Sequence, residues 1–239
     1  MCGLAHYLER HGIPTVAIAL VGRHAAAMRP PRALVVPFEL GRPFGAPEAP
    51  EFQRRVLAHA LGLLARSDGP VLENFPDAPP GPRADMPTWA PPIAPVPADA
   101  SFADDDALAA AARAEIAQLK PHDERWVQAG GRRLDRVTGK TPEACVALML
   151  AFAREPKMES PMAGYPAHLA VKFAADDLKH FYYQAALARP ARVTDVEMDA
   201  WFFDATVAGR LIARLREAML KSEDEAARAL AATSLVRAR

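Results

Sequence analysis

The sequence is poor in cysteine, carries no net charge and lacks a long hydrophobic run. Two cysteines among 239 residues exclude a disulfide framework and suit a reducing compartment. Lys plus Arg and Asp plus Glu each number 29, so no overall field favours nucleic acid or a membrane surface. The longest apolar run, residues 13–22, contains Pro14 and is shorter than the ~20 residues that span a bilayer.

The polar, amphipathic residues that follow Met1 predict no secretory signal. Together with the two thiols, this leads us to expect a cytoplasmic protein with no membrane or nucleic-acid partner. The chain length favours two domains, because domains commonly contain ~100–150 residues.

The first 66 residues have the pattern of a small α/β unit. A helical pattern is followed by Gly12, at a position typical of a left-handed helix end, and then by Pro14. Two continuous apolar runs follow at residues 15–21 and 32–38, and the ten residues between them, 22–31, predict a short crossover helix. Runs that are apolar on both faces indicate strands of a covered parallel sheet. Another amphipathic helix is predicted over 51–66.

The remainder divides into a proline-rich segment, 68–103, and a helical region, 104–239. Ten of the 23 prolines fall within 68–97, which predicts an extended arm rich in polyproline II. This arm lies on the protein surface through its apolar side chains, or it is a ligand for a proline-recognition domain. The predicted surface anchors are Phe75, Trp89 and Ile93.

Helical patterns account for most of the last region. The predicted helices cover 104–119, 141–155 with Thr141 as N-cap, 174–189, 194–222 with a kink at Gly209, and 223–234. The predicted fold class is therefore α/β and predominantly helical, with a small parallel βαβ, Rossmann-like unit at residues 1–67. Because two strands and their helices cannot cover both faces of a sheet alone, we expect the helical half or another chain to complete it.

Four polar residues of the first unit are candidates for chemistry. Cys2 and His6 are four positions apart and share a helix face, so the imidazole is placed to activate the thiol; the alternative is a cysteine without function. Glu39 and Arg42 follow the carboxyl end of the second strand, the side where open α/β sheets bind ligands. The alternative for this pair is a structural salt bridge.

The helical region offers weaker candidates. Asp176 and His180 have the spacing of a carboxylate that orients an imidazole, although on a helix surface this spacing more often makes a modest charge pair. Asp204 is a candidate buried partner or ligand, and Cys145 lies on an apolar face typical of a core. No residue is assigned as a metal ligand, and no cofactor is predicted.

Several short pieces of the first 66 residues follow one another in a recognisable order. They are Gly12-Ile13-Pro14, Thr15 to Val21, Leu34 to Pro37, Leu40-Gly41-Arg42-Pro43 and Arg54-Arg55-Val56. Their order and spacing resemble the C-terminal end of the selenoprotein B subunits of glycine, sarcosine, betaine and D-proline reductases. The similarity covers about a quarter of the chain.

The resemblance implies reductive cleavage of the bond between the α-carbon of an amino acid and its nitrogen. In the family this reaction depends on a selenocysteine or cysteine in a short redox motif at the start of the helix, with a further cysteine close behind. Cys2 stands where the last sulfur of that motif would be. The family's nucleophile has no counterpart in this sequence. One explanation is that a selenocysteine codon read as a stop lies before Met1; the other is that the shortened unit is genuine and is completed by a second chain or by the helical half. The upstream DNA distinguishes the two.

Three functions follow from these patterns. The first is a thiol-dependent reductase acting on an amino-acid-like substrate, with Cys2 as a residual redox thiol and Glu39 and Arg42 near the substrate carboxylate. The second is an accessory subunit without chemistry, in a homo-oligomer or with a second subunit that completes the sheet. The third is a small-molecule or metal site in the helices around Asp176, His180 and Asp204.

Overall fold

The chain folds into two compact units, Met1–Arg83 and Ala84–Arg239. The computed structural model describes residues 1–39, 41–80 and 87–235. About 54% of the chain is helical, and the described strands form a small parallel sheet, so the predicted mixed α/β class is confirmed. The boundary between the units falls inside the segment predicted as a proline-rich arm, 68–103.

The first unit is built on three parallel strands in sequential order across the sheet. They are β1 (Ala17–Ala19), β2 (Arg32–Val35) and β3 (Val71–Asn74). Ala17 lies opposite Ala33, which confirms the predicted pairing of the first two runs, although both strands are shorter than predicted. Arg32 lies opposite Val71, so the third strand comes from the residues after the next helix. The expectation that the helical half supplies a strand is wrong for the described residues, and the expectation that another chain completes the sheet stays a prediction.

Helices cover both faces of the central strand. The helices of this unit are α1 (Cys2–Arg10), α2 (Gly22–Met28) and α3 (Pro50–Gly62), the last followed by a 3₁₀ turn at Leu63–Ala65. Leu34 of β2 packs with Phe52 and Val56 of α3 on one face. On the other face Gly22 of α2 lies so close that a Cβ there would be 3.1 Å from Val35 Cγ1. The edge strand β1 is only half-buried.

A charged network ties the amino ends of β1 and β2 together. The Glu9 carboxylate accepts hydrogen bonds from the Thr15 backbone at 2.6 Å and from Arg32 Nη1 at 2.6 Å. The Arg32 Nε–H also donates to the Arg66 carbonyl oxygen at 2.8 Å. The Thr15 N–H, with its hydroxyl and Arg32, holds the pKa of Glu9 below its ordinary value. The side chains that follow the strands at the carboxyl end remain outside this network.

The second unit is a helical domain. Its described helices are α4 (Asp105–Gln128), α5 (Pro142–Arg154), α6 (Ala167–Ala186), α7 (Asp195–Ala205), α8 (Val207–Leu220) and α9 (Glu225–Ser234). The predicted N-cap is confirmed, since Thr141 Oγ1 accepts from the Ala144 N–H at 3.2 Å. Large apolar side chains of α4, α5, α6 and α8, among them Leu119, Phe152 and Leu215, form a fully buried core. None of the described helices has both the length and the hydrophobicity of a membrane-spanning segment.

The single helix predicted over 194–222 is wrong, because α7 and α8 meet at Thr206. The Thr206 hydroxyl donates to the Phe202 carbonyl oxygen at 2.6 Å and accepts from the Gly209 N–H at 3.0 Å. One buried threonine therefore ends α7 and caps α8, three residues before the predicted kink at Gly209.

The predicted anchors of the proline-rich segment divide between the units. Phe75 is buried in the first unit, in the cluster that contains the strands. In the second unit Ile93 is buried, and Trp89 is half-buried with its Nε1–H donating to the Ala186 carbonyl oxygen at 3.1 Å. The middle of the segment, 81–86, lies outside the described residues.

Candidate functional site

Three aromatic rings pack together at the carboxyl end of the sheet. Phe38 follows β2, Phe75 follows β3, and Phe52 stands in the first turn of α3. Their ring centroids lie 5.5 to 5.8 Å apart in tilted and edge-to-face arrangements. Because the three rings pack together, the first turns of α3 are held over the points where β2 and β3 end.

The predicted substrate-binding residues lie in a tight turn at this end. The Arg42 N–H donates to the Glu39 carbonyl oxygen at 3.0 Å, and Arg42 Nη1 lies 2.8 Å from the Glu39 carboxylate. The pair therefore forms the salt bridge that was the alternative to a ligand role, with the Arg42 side chain half exposed. Leu40, between them, lies outside the described residues.

Gly45 brings this turn against α3. Its φ is +84°, and a Cβ there would lie 2.7 Å from the Phe52 ring and 3.3 Å from Pro79 Cβ. A larger residue fits neither the backbone conformation nor the space. The turn that carries Arg42 is thereby kept close to Phe52 and to the segment that follows β3.

A shallow depression of about 380 Å³ opens beside Phe52. The first turn of α3 and Arg55 line one side, and Ala78 and Pro80, from the segment after β3, line the other. The Arg55 guanidinium lies 5.3 Å from the centre of the Phe52 ring, and its Nη2–H donates to the Asp77 carboxylate at 2.9 Å. A guanidinium has five N–H donors in a planar fork, so Arg55 retains donors for a further anion.

The predicted thiol and imidazole lie apart from this end, on α1. Cys2 is the first residue of α1 and is half-buried. His6 Nε2 lies 3.0 Å from the Met28 carbonyl oxygen, which only accepts, so Nε2 carries a hydrogen and a neutral His6 has its acceptor at Nδ1. His6 thus connects α1 to the end of α2. The spacing on one helix is as predicted, and the described contact of His6 is to the backbone.

The other thiol is shielded. Cys145 is fully buried in the core of the second unit, beside the Thr138 hydroxyl. Burial raises the pKa of Cys145 to about 11, so the thiolate that exchanges with disulfides is scarce. This agrees with the prediction of a core cysteine and leaves Cys2 as the accessible sulfur.

One ionisable cluster of the first unit was not predicted. His59 of α3 lies with its Nε2 2.5 Å from the Glu73 carboxylate of β3, and Arg66 lies 3.9 Å from the same carboxylate. The signal in the sequence is the alternation of Val71, Glu73 and Phe75, which puts one side of β3 towards α3. The cluster joins α3 to an edge strand that was itself not predicted.

The helical candidates do not assemble into a site. Asp176 accepts from Lys172 Nζ at 2.5 Å, one turn earlier on the same helix, so the described pair of Asp176 does not include His180. His180 Nδ1 is buried without a hydrogen-bond partner in the described structure. Asp204 is exposed, so its predicted burial is wrong. Across residues 1–39, 41–80 and 87–235, no three His, Cys, Asp or Glu side chains are grouped as metal ligands would be.

Comparison of the chain with protein-family models, with curated proteins and with solved structures found no match. The resemblance to the reductase subunits therefore stays a prediction.

Proposed function

We propose that this chain is a reductase-related protein of the selenoprotein B type, whose first unit binds a small amino-acid-like molecule at the carboxyl end of its sheet. One observation carries the proposal: the depression beside Phe52 and Arg55 lies where β2 and β3 end. Ligands of open α/β sheets bind at this edge, because the loops there converge and the strand ends leave a crevice.

The charges at this end of the first unit suit a zwitterion, with Arg55 lining the depression itself. Arg55 is paired with Asp77 and Arg42 with Glu39, so each cation stands beside an anion. Glycine, sarcosine, betaine and D-proline each carry a carboxylate and a positively charged nitrogen. In the proposed complex the guanidinium groups bind the carboxylate through paired N–H donors, and the acidic side chains face the cationic nitrogen.

Cys2 is the redox group of this proposal; it lies on α1 and does not line the depression, so the cleavage step requires that the bound substrate be brought to α1. Reductive cleavage of a carbon–nitrogen bond takes up two electrons and two protons, which two thiols supply when they form a disulfide. Since Cys145 is buried with its pKa raised to about 11, the second thiol comes from another molecule. We propose that His6, whose Nε2 is bonded to the Met28 carbonyl oxygen, takes up the Cys2 proton through Nδ1, because the two residues lie four positions apart on α1.

Three finer parts of the sequence interpretation belong to the same proposal. The three-stranded sheet is a part of a Rossmann-like fold, and the proline-rich segment serves as an arm. The two unpaired cysteines favour a cytoplasmic location, where thiols stay reduced.

Replacing Arg55 by alanine is expected to weaken binding of sarcosine or betaine by at least about tenfold, since a hydrogen bond to a charged group contributes ~1.5–3 kcal/mol. Titration calorimetry of the full chain with each compound measures this.

Cys2→Ser is expected to bind normally and to lose dithiothreitol-dependent release of methylamine from sarcosine.

The matched control is Arg54→Ala. Arg54 neighbours Arg55 on the same helix and is paired with Glu51, but it does not line the depression. Equal losses in the Arg54 and Arg55 variants, or no binding to the unmodified chain, contradict the ligand site. Unchanged reductase activity in Cys2→Ser removes the thiol from the mechanism while leaving the ligand site in place.

A second candidate function is an accessory subunit that assembles through α1. Leu4 and Tyr7 of α1 are 51% and 54% exposed, and Ile13 and Met28 are comparably exposed on the adjoining segments. Exposed apolar side chains grouped in this way are typical of an interface. The occupant we propose is a second copy of the chain, which buries the same face on both molecules.

Light scattering after size exclusion is expected to give about twice the chain mass of 25.8 kDa. A Leu4→Ser/Tyr7→Ser variant is expected to give the mass of one chain, because it removes apolar area from both halves of the interface. The matched control is Leu57→Ser/Leu61→Ser, which changes two similarly exposed side chains of α3. A monomeric native chain contradicts this assembly. A dimer that persists in the α1 variant contradicts it as well.

A further inference from the structure

The connection between α4 and α5, residues 129–141, is held in one shape by buried polar side chains. Asp123 of α4 and Asp177 and Gln184 of α6 are 5%, 2% and 3% exposed. Burying a polar side chain is unfavourable unless it is hydrogen-bonded. The carboxylates of Asp123 and Asp177 and the Oε1 of Gln184 all bond to this one connection, while Gln184 Nε2 is buried without a hydrogen-bond partner in the described structure.

Asp177 and Gln184 bind the backbone of the connection. The Asp177 carboxylate accepts from the Val137 N–H at 3.0 Å, from the Thr138 N–H at 2.8 Å and from the Thr138 hydroxyl at 2.7 Å. Gln184 Oε1 accepts from the Leu134 N–H at 2.7 Å. These bonds fix the path of residues 134–138 against α6.

The acidic side chain of the connection itself is turned inward. Arg133 donates through both terminal nitrogens to Asp123, at 2.7 and 3.2 Å, and its Nη1 lies 3.1 Å from Asp135. Asp135 is therefore neutralised and its side chain is 9% exposed. Its negative charge is not presented to a partner.

The start of the connection is packed on Trp126. A Cβ on Gly131 would lie 2.3 Å from the Trp126 ring, so glycine is required for this close approach. The Trp126 Nε1–H donates to the Arg132 carbonyl oxygen at 3.2 Å. The backbone is thus supported at its beginning as well as in its middle.

The fixed connection presents a basic and apolar surface. Leu134 and Val137 are 49% and 53% exposed, and Arg132 and Arg136 are exposed beside them. Among the residues that the structure describes, neither of these two guanidinium groups has an ion-pair partner. Two aliphatic side chains and two unpaired cations therefore share one pre-organised surface.

We propose that the surface formed by Arg132, Leu134, Arg136 and Val137 binds an acidic peptide segment with apolar side chains on a partner protein. The cations match carboxylates, and the aliphatic side chains match apolar residues between them. Because the backbone is already fixed, binding loses little conformational entropy.

Two other classes of partner fit this surface less well. The connection contains no aromatic residue on which bases stack, as single-stranded nucleic acid requires. It also lacks the Trp and Tyr side chains that anchor proteins at a membrane interface. This inference concerns the second unit and does not depend on the proposed reductase function.

The test is selection of a displayed library of random dodecapeptides on the full chain, followed by affinity measurement of the enriched sequences. Enriched peptides are expected to combine Asp or Glu with Leu, Ile, Val or Phe. Arg132→Glu/Arg136→Glu and Leu134→Ser/Val137→Ser are each expected to weaken their binding by at least about tenfold, since few residues dominate such interfaces. Higher salt is expected to weaken it further.

The matched control is Arg113→Glu, which reverses one exposed charge on α4 away from the connection. Circular dichroism checks that each variant is folded, and the changed side chains are exposed, so folding is expected to persist. No enrichment, enriched peptides without acidic residues, or binding that survives both double variants overturns the proposal. Binding of phosphatidylserine vesicles or of an oligonucleotide through Arg132 and Arg136, in place of peptides, overturns it as well.

Discussion

Replacing Gly209 by alanine is expected to lower the free energy of unfolding of the second unit by about 2 kcal/mol or more, although alanine is the better helix former. Gly209 is in the first turns of α8, where a Cβ would lie 2.4 Å from the Phe202 carbonyl oxygen and 2.6 Å from that of Phe203. These are backbone atoms of α7 and do not rotate away. The two helices join at Thr206 without a linker, so relief requires opening the corner between them.

The sign of this effect depends on two opposing terms. Helix propensity favours alanine over glycine by about 1 kcal/mol, whereas overpacking typically costs about 1–3 kcal/mol and is greatest against rigid neighbours. We expect the clash to dominate, because the contacts are far inside van der Waals distance. The control is Gly62→Ala in the last turn of α3, where no atom lies within 4 Å of the added Cβ and a neutral or stabilising effect is expected.

Urea unfolding followed by tryptophan fluorescence measures the Gly209 effect, and unfolding followed by far-ultraviolet circular dichroism measures the Gly62 control in the first unit. The chain has three tryptophans, Trp89, Trp126 and Trp201, and all belong to the second unit, so this signal reports that unit separately. A Gly209→Ala variant as stable as the native chain contradicts the described corner between α7 and α8.

Replacing Glu115 by alanine is expected to destabilise the second unit by about 3–4 kcal/mol, because each buried donor left without an acceptor costs ~1–3 kcal/mol. Glu115 of α4 accepts from the Tyr182 hydroxyl at 2.8 Å and from the Val207 and Ala208 N–H groups at 2.9 and 3.4 Å. All of these groups are buried. The carboxylate thereby satisfies the first backbone donors of α8 from a different helix.

The phenol of this network remains a donor. Burial, together with the neighbouring carboxylate, raises the pKa of Tyr182 far above its ordinary value, so the hydroxyl keeps its hydrogen over the accessible pH range. Glu115→Gln retains one acceptor oxygen and is expected to lose only about 1–2 kcal/mol. If Glu115→Ala is no less stable than Glu115→Gln, the network does not hold α8 in place.

The pH dependence of this network has a definite sign. Burial raises the pKa of Glu115 above its ordinary value of 4.5. A carboxyl group with a higher pKa in the folded chain contributes its full stability below the unfolded pKa and loses it as the pH rises through the folded pKa. Relative to Glu115→Gln, the native chain is therefore expected to be most stable below pH 4.5 and to lose part of that advantage towards neutral pH.

The strands that could be predicted were those marked by local pattern. Residues 15–21 and 32–38 are largely apolar runs of seven residues each, the first of them preceded by Gly12 and Pro14, and the structure pairs their central residues as β1 and β2. Val71–Asn74 is only four residues long and stands among prolines, so it resembles part of an arm. It becomes a strand through its pairing with β2, which no local pattern encodes.

The break between α7 and α8 also depends on distant residues. Thr206 and Val207 do not interrupt the helical pattern of the sequence, because neither disfavours a helix as strongly as proline does. The break is stabilised by the Thr206 cap and by Glu115, which is 92 positions from Val207 in the sequence. Propensity alone therefore predicts one long helix where two are formed.

The candidate site was only half predictable for the same reason. Glu39 and Arg42 could be singled out, because a strand end is visible in the sequence and ligands bind near strand ends. Arg55 could not, since it lies on an ordinary amphipathic helix and lines a depression only when Ala78 and Pro80 follow β3 beside it. Because β3 could not be predicted, the side of the depression formed by the segment after β3 could not be predicted either.

The most direct test of the account is a nitrogen-15 NMR titration of the full chain with sarcosine. The amides of Phe52, Arg55 and Ala78 are expected to shift with saturation, and those of the second unit are expected to remain unchanged. In the Arg55→Ala variant, saturation is expected to require at least about tenfold more sarcosine. Saturating shifts confined to the second unit, or no shifts with any of the four zwitterions, would contradict a ligand site at the carboxyl end of this sheet.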